Sequence, residues 1–210
     1  MNLPKYKNLL QIVVALIVLV SLFFLFGNQA GERDLPIIPL ENTLETPLVP
    51  ITNANSRITK KPFGIYITPS SSPVANERFT GYHTGTDFEI TDNELNEPVQ
   101  IYALCGGKIL VKNFVSGYGG VLIQECSIEG ETYTVLYGHL NLATSDLIVG
   151  DNVVTGQPIA ELGADKSTDT AGERKHLHLG IHKGHAIEYR GYVPTSSELT
   201  SWVDYSLLVR

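Results

Sequence analysis

Two hydrophobic patterns divide the chain. From Leu9 to Phe26 apolar residues run without a period, interrupted only by Gln11 and Ser21. Beyond Lys61 they come in short β-prone runs separated by turn residues. As a helix the first segment is about 27 Å long, close to the hydrocarbon thickness of a bilayer, and a helix apolar on every face at a chain terminus does not suit a buried core position. Lys5 and Lys7 precede it and Glu32, Arg33 and Asp34 follow it, which points the amino terminus to the cytoplasm and the remainder to the periplasm or cell exterior. Asn28 and Ala30 make a poor cleavage site, so residues 1–26 are expected to form a cytoplasmic start and an uncleaved single-pass signal anchor in the cell membrane.

Residues 27–61 show no sustained period. Pro36, Pro39, Pro47 and Pro50 punctuate aliphatic pairs such as Ile37-Ile38 and Leu48-Val49, the pattern of a semi-extended linker with a reach of about 100 Å. The aliphatic pairs also allow part of it to pack on the domain as an edge strand.

In residues 62–210 the runs Val99 to Leu104, Lys108 to Lys112, Gly120 to Glu125, Thr132 to Tyr137 and His176 to Ile181 predict strands. Gly106-Gly107, Ser116 to Gly120 and Glu129-Gly130 supply turns between them. Only Ser197 to Leu208 carries a helical period. The expected fold is all-β, a largely antiparallel sheet or sandwich. The 11 Pro, 19 Gly and 10 Tyr of the chain fit a turn-rich β protein. With a formal charge of −7 and no Lys/Arg run, the chain lacks the basic face a nucleic-acid binder needs.

The chemistry resides in the histidines. His83 and Asp87 lie four apart, in a window whose two glycines and two threonines favour a turn feeding a strand over a helix. His176 and His178 flank Leu177, and in a strand both imidazoles point to one face while Leu177 points to the other. His139 ends a β-prone run. Each feature alone also fits a solvated surface histidine; their joint occurrence requires a common explanation.

His83-xxx-Asp87, Tyr137-Gly138-His139-Leu140 and His176-Leu177-His178, in this order, resemble the lysostaphin-like zinc metallopeptidases of the M23 family. Phe63-Gly64, Ser116-Gly117-Tyr118-Gly119, Gly150-Asp151-x-Val153 and Gly156-Gln157-x-Ile159 extend the resemblance over Pro62 to Lys183. It implies an antiparallel β fold, one zinc ion per chain and endopeptidase action on stem peptides or cross-bridges of bacterial peptidoglycan. Carried over position by position, it makes His83, Asp87 and His178 the zinc ligands and His139 and His176 the unligated catalytic histidines. Three protein ligands leave zinc an open position for water, whose pKa falls from about 15.7 toward about 7. One free imidazole would then take the water's proton and the other would hydrogen-bond the oxyanion, in an order the sequence leaves open. Tyr82 is a further candidate donor.

Three stretches depart from the family pattern: Ile65-Tyr66-Ile67, the long acidic segment Glu89 to Glu97, and Ala171-Gly172-Glu173-Arg174-Lys175 before the last motif. They are expected to line the groove and bear on specificity while leaving the zinc site intact. His182 and His185 are expected to be peripheral, His182 standing about 13 Å along the strand from His178. A hairpin in which Asn113 opposes Tyr118 also brings Cys105 opposite Cys126, as a disulfide permitted by export or as two buried thiols. The alternative function is a non-catalytic scaffold of the same fold that recruits or activates another cell-wall hydrolase; such relatives typically lack several site residues, and all five positions are filled here. Partners expected on the enzyme reading are peptidoglycan peptides, the membrane through the amino-terminal helix, and other cell-wall remodelling proteins, with no nucleic acid.

Overall fold

The computed structural model describes residues 49–208; the expected anchor and the linker up to residue 48 lie outside the described residues. Among the described residues no helix is long and apolar enough to cross a membrane. Within the described residues one helical turn, α1 (Ala54–Arg57), precedes twelve strands. These are β1 (Tyr66–Ile67), β2 (Gly81–His83), β3 (Gly85–Glu89), β4 (Gln100–Tyr102), β5 (Gly107–Val115) and β6 (Gly119–Ile128), then β7 (Glu131–Gly138), β8 (Leu140–Asn141), β9 (Asn152–Val153), β10 (Pro158–Leu162), β11 (His176–Lys183) and β12 (Tyr192–Val193). All five runs expected to be strands are found, as β4, β5, β6, β7 and β11.

Every strand pairing is antiparallel. A six-stranded sheet has the order β3-β11-β7-β6-β5-β9, and two three-stranded sheets have the orders β4-β10-β8 and β1-β2-β12. Glu129 and Gly130 join β6 to β7 with φ of 52° and 84°, the two positive values that let a two-residue turn follow the right-handed twist of its strands. Along β11 the side chains divide by parity. Leu177, Leu179 and Ile181 enter the main core with Phe88, Val135 and Tyr137, where Ile101, Ala160 and Leu162 of the β4-β10-β8 sheet also pack. His176 and His178 therefore project from the opposite face. Tyr137 keeps its buried hydroxyl satisfied: it donates to Gln124 Oε1 at 2.8 Å and accepts from the Leu104 N–H at 2.8 Å.

Three expectations are corrected. The linker reading fails over residues 49–61, where Ile51 and Ala54 join the core and Arg57, 4% exposed, donates to both carboxylate oxygens of Glu94 at 2.7 and 2.8 Å. Burying an isoleucine contributes about 2 kcal/mol, which favours docking over extension. Ser197 to Leu208 is two 3-10 turns, Ser196–Ser201 and Tyr205–Leu207, broken at Trp202, which bridges His182. The hairpin register also differs: Val115 opposes Gly119, and an irregularity between Ile109 and Val111 brings Gly107 opposite Cys126. Cys105 nevertheless forms a disulfide with Cys126, with a Cα separation of 5.7 Å.

Candidate metal and catalytic site

The β3–β11 ladder builds the centre of the site. Asp87 opposes His178 and Glu89 opposes His176, so alternation puts Asp87, Glu89, His176 and His178 on one face. His83, at the end of β2, is held by its backbone: its N–H donates to Ile65 O at 2.9 Å, and its carbonyl accepts from Gly64 N. The ligand-capable atoms of His83, Asp87 and His178 lie within 4.8 Å of one another, and all three residues are buried. Asp87 Oδ1 stands 3.3 Å from His83 Nε2 and 3.0 Å from His178 Nδ1, and those two nitrogens are 3.1 Å apart.

Close approach requires glycine at Gly85. A Cβ there would come within 2.6 Å of His178 Nε2 and 2.7 Å of the Leu179 carbonyl.

The surroundings prepare these atoms for a cation. His83 Nδ1 faces the Pro62 carbonyl at 3.2 Å and donates to it in the tautomer that leaves Nε2 with its lone pair. His178 Nε2 lies 3.4 Å from Tyr118 Oη, while its Nδ1 faces Asp87. Burial pushes His178 down to about 4 despite Asp87 beside it, so the ring is neutral. Burial acts to raise Asp87, but His176 and His83 outweigh it and hold the carboxyl well below its ordinary range. Two imidazoles and one carboxylate are the donor types of a catalytic zinc site, and these residues fit the metal that the resemblance implies.

The two remaining histidines flank this group. His139 follows the end of β7 with φ of 65°, a left-handed corner tied down by His139 N to Tyr118 O at 3.2 Å and Gly163 N to His139 O at 2.8 Å. Its ring centroid lies 4.3 Å from that of His176. Its buried Nδ1 has no hydrogen-bond partner. Burial first, then His176 and His178, hold His139 well below the usual histidine range. His176 Nδ1 donates to Arg174 O at 2.8 Å, and its Nε2 lies 3.3 Å from Asp87 Oδ2.

Of the five residues singled out from the sequence, Asp87, His139, His176 and His178 line one cleft of about 330 Å³, and His83 is buried behind it against Asp87 and His178. Tyr82 does not line it; its ring packs on Tyr66 at 4.8 Å. His182 stacks edge-on against Trp202 at 4.9 Å and His185 pairs with Glu125 at 2.8 Å, both outside the cleft. Two tyrosines of the cleft were given no role from the sequence, and Arg174 comes from a stretch expected to line the groove. Tyr118 approaches His178, Tyr192 lies 5.2 Å from the His83 ring, and Arg174 contacts Asp87. Nothing in the sequence marks Tyr192, which β12 brings opposite His83. The segment Glu89 to Glu97, expected to line the groove, does not line this cleft; it is tied to the domain through Glu94 to Arg57 and through the Glu94 and Glu97 carbonyls to Lys175.

These features define a β-sheet domain built around a His-Asp-His group that could hold a metal ion. The model of peptidase family M23 matches residues 81–189, more than half of the chain, and the chain belongs to that family. Among solved structures, LytU is 27% identical, with 70% of this chain and 80% of LytU covered and a TM-score of 0.46. A zinc-containing peptidase from Vibrio cholerae is 24% identical, covering 65% of this chain and 36% of its own, with a TM-score of 0.41. The SpoIIQ-SpoIIIAH pore-forming complex matches at 16% identity and a TM-score of 0.52, over 80% of this chain and 92% of that one. The chain therefore spans most of LytU and about a third of the Vibrio protein. No curated protein matches the sequence.

Proposed function

We propose that the chain is a zinc-dependent endopeptidase that hydrolyses peptide bonds in bacterial cell-wall peptidoglycan. The observation that carries this reading is the convergence of His83, Asp87 and His178 on one point beside two unligated histidines. His83 through Nε2, Asp87 through Oδ1 and His178 through Nδ1 would hold the metal. When bound, zinc supplies Lewis acidity that polarises a peptide carbonyl and acidifies water.

The chain's own residues do the rest. His176, its Nδ1–H fixed on Arg174 O, presents Nε2 to accept a proton, and Asp87 Oδ2 stands where it stabilises the resulting imidazolium. His139 stays neutral and offers a ring N–H to the developing oxyanion. Tyr118 and Tyr192 wall the cleft beside the ligands, and burial raises both phenols, so they remain protonated donors. We further propose that Leu9–Phe26 anchors this domain at the outer face of the cell membrane, which sets it against its substrate.

The test combines elemental analysis of protein purified without added metal with mass spectrometry of a peptidoglycan digest. One zinc per chain and new peptide termini are expected. Protein that neither carries zinc nor takes it up on dialysis, and releases no fragments, would support the scaffold reading instead.

A further inference from the structure

Arg174 reaches the candidate metal site with both its side chain and its backbone. Its Nη2 donates to Asp87 Oδ2 at 2.8 Å and to Glu89 Oε1 at 2.6 Å, and its Nε donates to Glu89 Oε1 and Oε2 at 3.1 and 2.9 Å. Its carbonyl accepts from His176 Nδ1. The side chain is 14% exposed, and Glu89 and Asp87 are more deeply buried. Fork-shaped pairing of this kind holds planar groups in a fixed orientation, which a single ammonium cannot do.

The consequence falls on the two oxygens of Asp87. Oδ2 is taken by Arg174, with His176 Nε2 at 3.3 Å, while Oδ1 faces both ligand nitrogens of His83 and His178. A carboxylate with two free oxygens can bind a metal through one or both. Here one is committed elsewhere. Charge fits the same arrangement: Asp87 and Glu89 share a face of β3 and would repel, and one guanidinium between two carboxylates leaves the group negative toward a cation.

We propose that Arg174 is a positioning residue that restricts Asp87 to one-oxygen ligation, so that a bound metal would have three protein donor atoms and keep its fourth position for water. The inference rests on the zinc reading above. Its test replaces zinc by cobalt(II) in the wild-type protein and in the Arg174→Gln, Arg174→Lys and Glu89→Gln variants, with visible absorption and zinc affinity by chelator competition as readouts. Wild type is expected to show the intense bands of four-coordinate cobalt. Arg174→Gln should show the weaker bands of a higher-coordinate site and a zinc affinity lower by about 10- to 100-fold. Arg174→Lys should restore part of both, because the charge returns without the fork. Glu89→Gln should fall between wild type and Arg174→Gln, and it carries the test if Arg174→Gln does not fold.

Wild-type bands and affinity retained in Arg174→Gln, or in Glu89→Gln where that variant stands in for it, would overturn the proposal while leaving the zinc reading intact. A wild-type protein that binds neither metal would instead defeat the zinc reading, and the positioning role with it.

Discussion

Asp87 and His178 face each other across the β3–β11 pair, with Oδ1 of the one 3.0 Å from Nδ1 of the other. His176, two positions earlier on the same face, meets the other carboxylate oxygen at 3.3 Å. One carboxylate thus touches a proposed ligand and a proposed proton carrier through different atoms.

Alanine variants separate these roles. His178→Ala is expected to lose both zinc and turnover, because two protein ligands remain. His176→Ala and His139→Ala should each retain zinc and lose about 10²- to 10⁴-fold in rate. The double variant of His139 and His176 should be scarcely slower than the poorer single one, since both act on one transition state. Zinc content measured beside turnover of a peptidoglycan fragment checks this; zinc lost from His176→Ala but kept in His178→Ala would reverse the assignment.

Gly85 is not a ligand, yet its substitution should damage the site. An alanine Cβ would press on the His178 ring and on the Leu179 carbonyl, and the backbone contact cannot be relieved by rotating a side chain. Gly85→Ala is expected to weaken zinc binding and to lower Tm by several degrees. Chelator competition and thermal unfolding measure the two effects, and an unchanged zinc affinity would show that β3 and β11 can separate there at little cost.

Stability should depend on pH through Glu94. The Arg57 hydrogen bond depresses its pKa from 4.5 to about 2. A depressed carboxyl stabilises the fold fully above its unfolded pKa and loses that contribution as pH falls through the folded one. The stability difference between wild type and Glu94→Gln should therefore be constant above about pH 5 and shrink toward zero as pH approaches about 2. Denaturant unfolding at stepped pH reads it; a difference that did not change over this interval would mean that Arg57 does not hold Glu94 in solution.

The disulfide lies at the far end of the sheet from the site. Cys126 pairs with Tyr133, whereas Gly138 pairs with Val121 and His178 near the proposed ligands. Closing a separation of 21 residues stabilises by about 3 kcal/mol through the unfolded chain. The Cys105→Ser, Cys126→Ser double variant should lose about that much in urea unfolding while keeping its zinc, and loss of metal would show that strain reaches along β6 and β7.

Strands that alternate or run apolar between turn residues were legible because burial of one face imposes a period of two on the sequence itself. The same rule told that His176 and His178 share a face. The segment 49–61 was less legible. Its short aliphatic pairs and single helical turn carry no period, and what holds it down, burial of Ile51 and Ala54 in the core and the Arg57–Glu94 pair, joins residues far apart in the chain. The Cys105 pairing illustrates the same difficulty. The two cysteines meet although the register that suggested it does not form, because an irregularity in β5 shifts the ladder where no sequence pattern marks it.

By itself, then, the order of residues pointed to the antiparallel β class and to a shared face for His176 and His178, which follow from local alternation, and to five candidate side chains, which follow from motifs that resemble those of the family. Only the tertiary structure decided which atoms meet. Asp87 Oδ1 rather than Oδ2 faces the imidazoles, Arg174 occupies the other oxygen, and Tyr192 arrives beside His83 from a strand near the end of the chain. Such choices depend on the register between strands distant in sequence and on competition among neighbouring charges. Both are settled by the packing of the whole domain, because a one-residue slip would cost little locally but would turn every side chain to the other face.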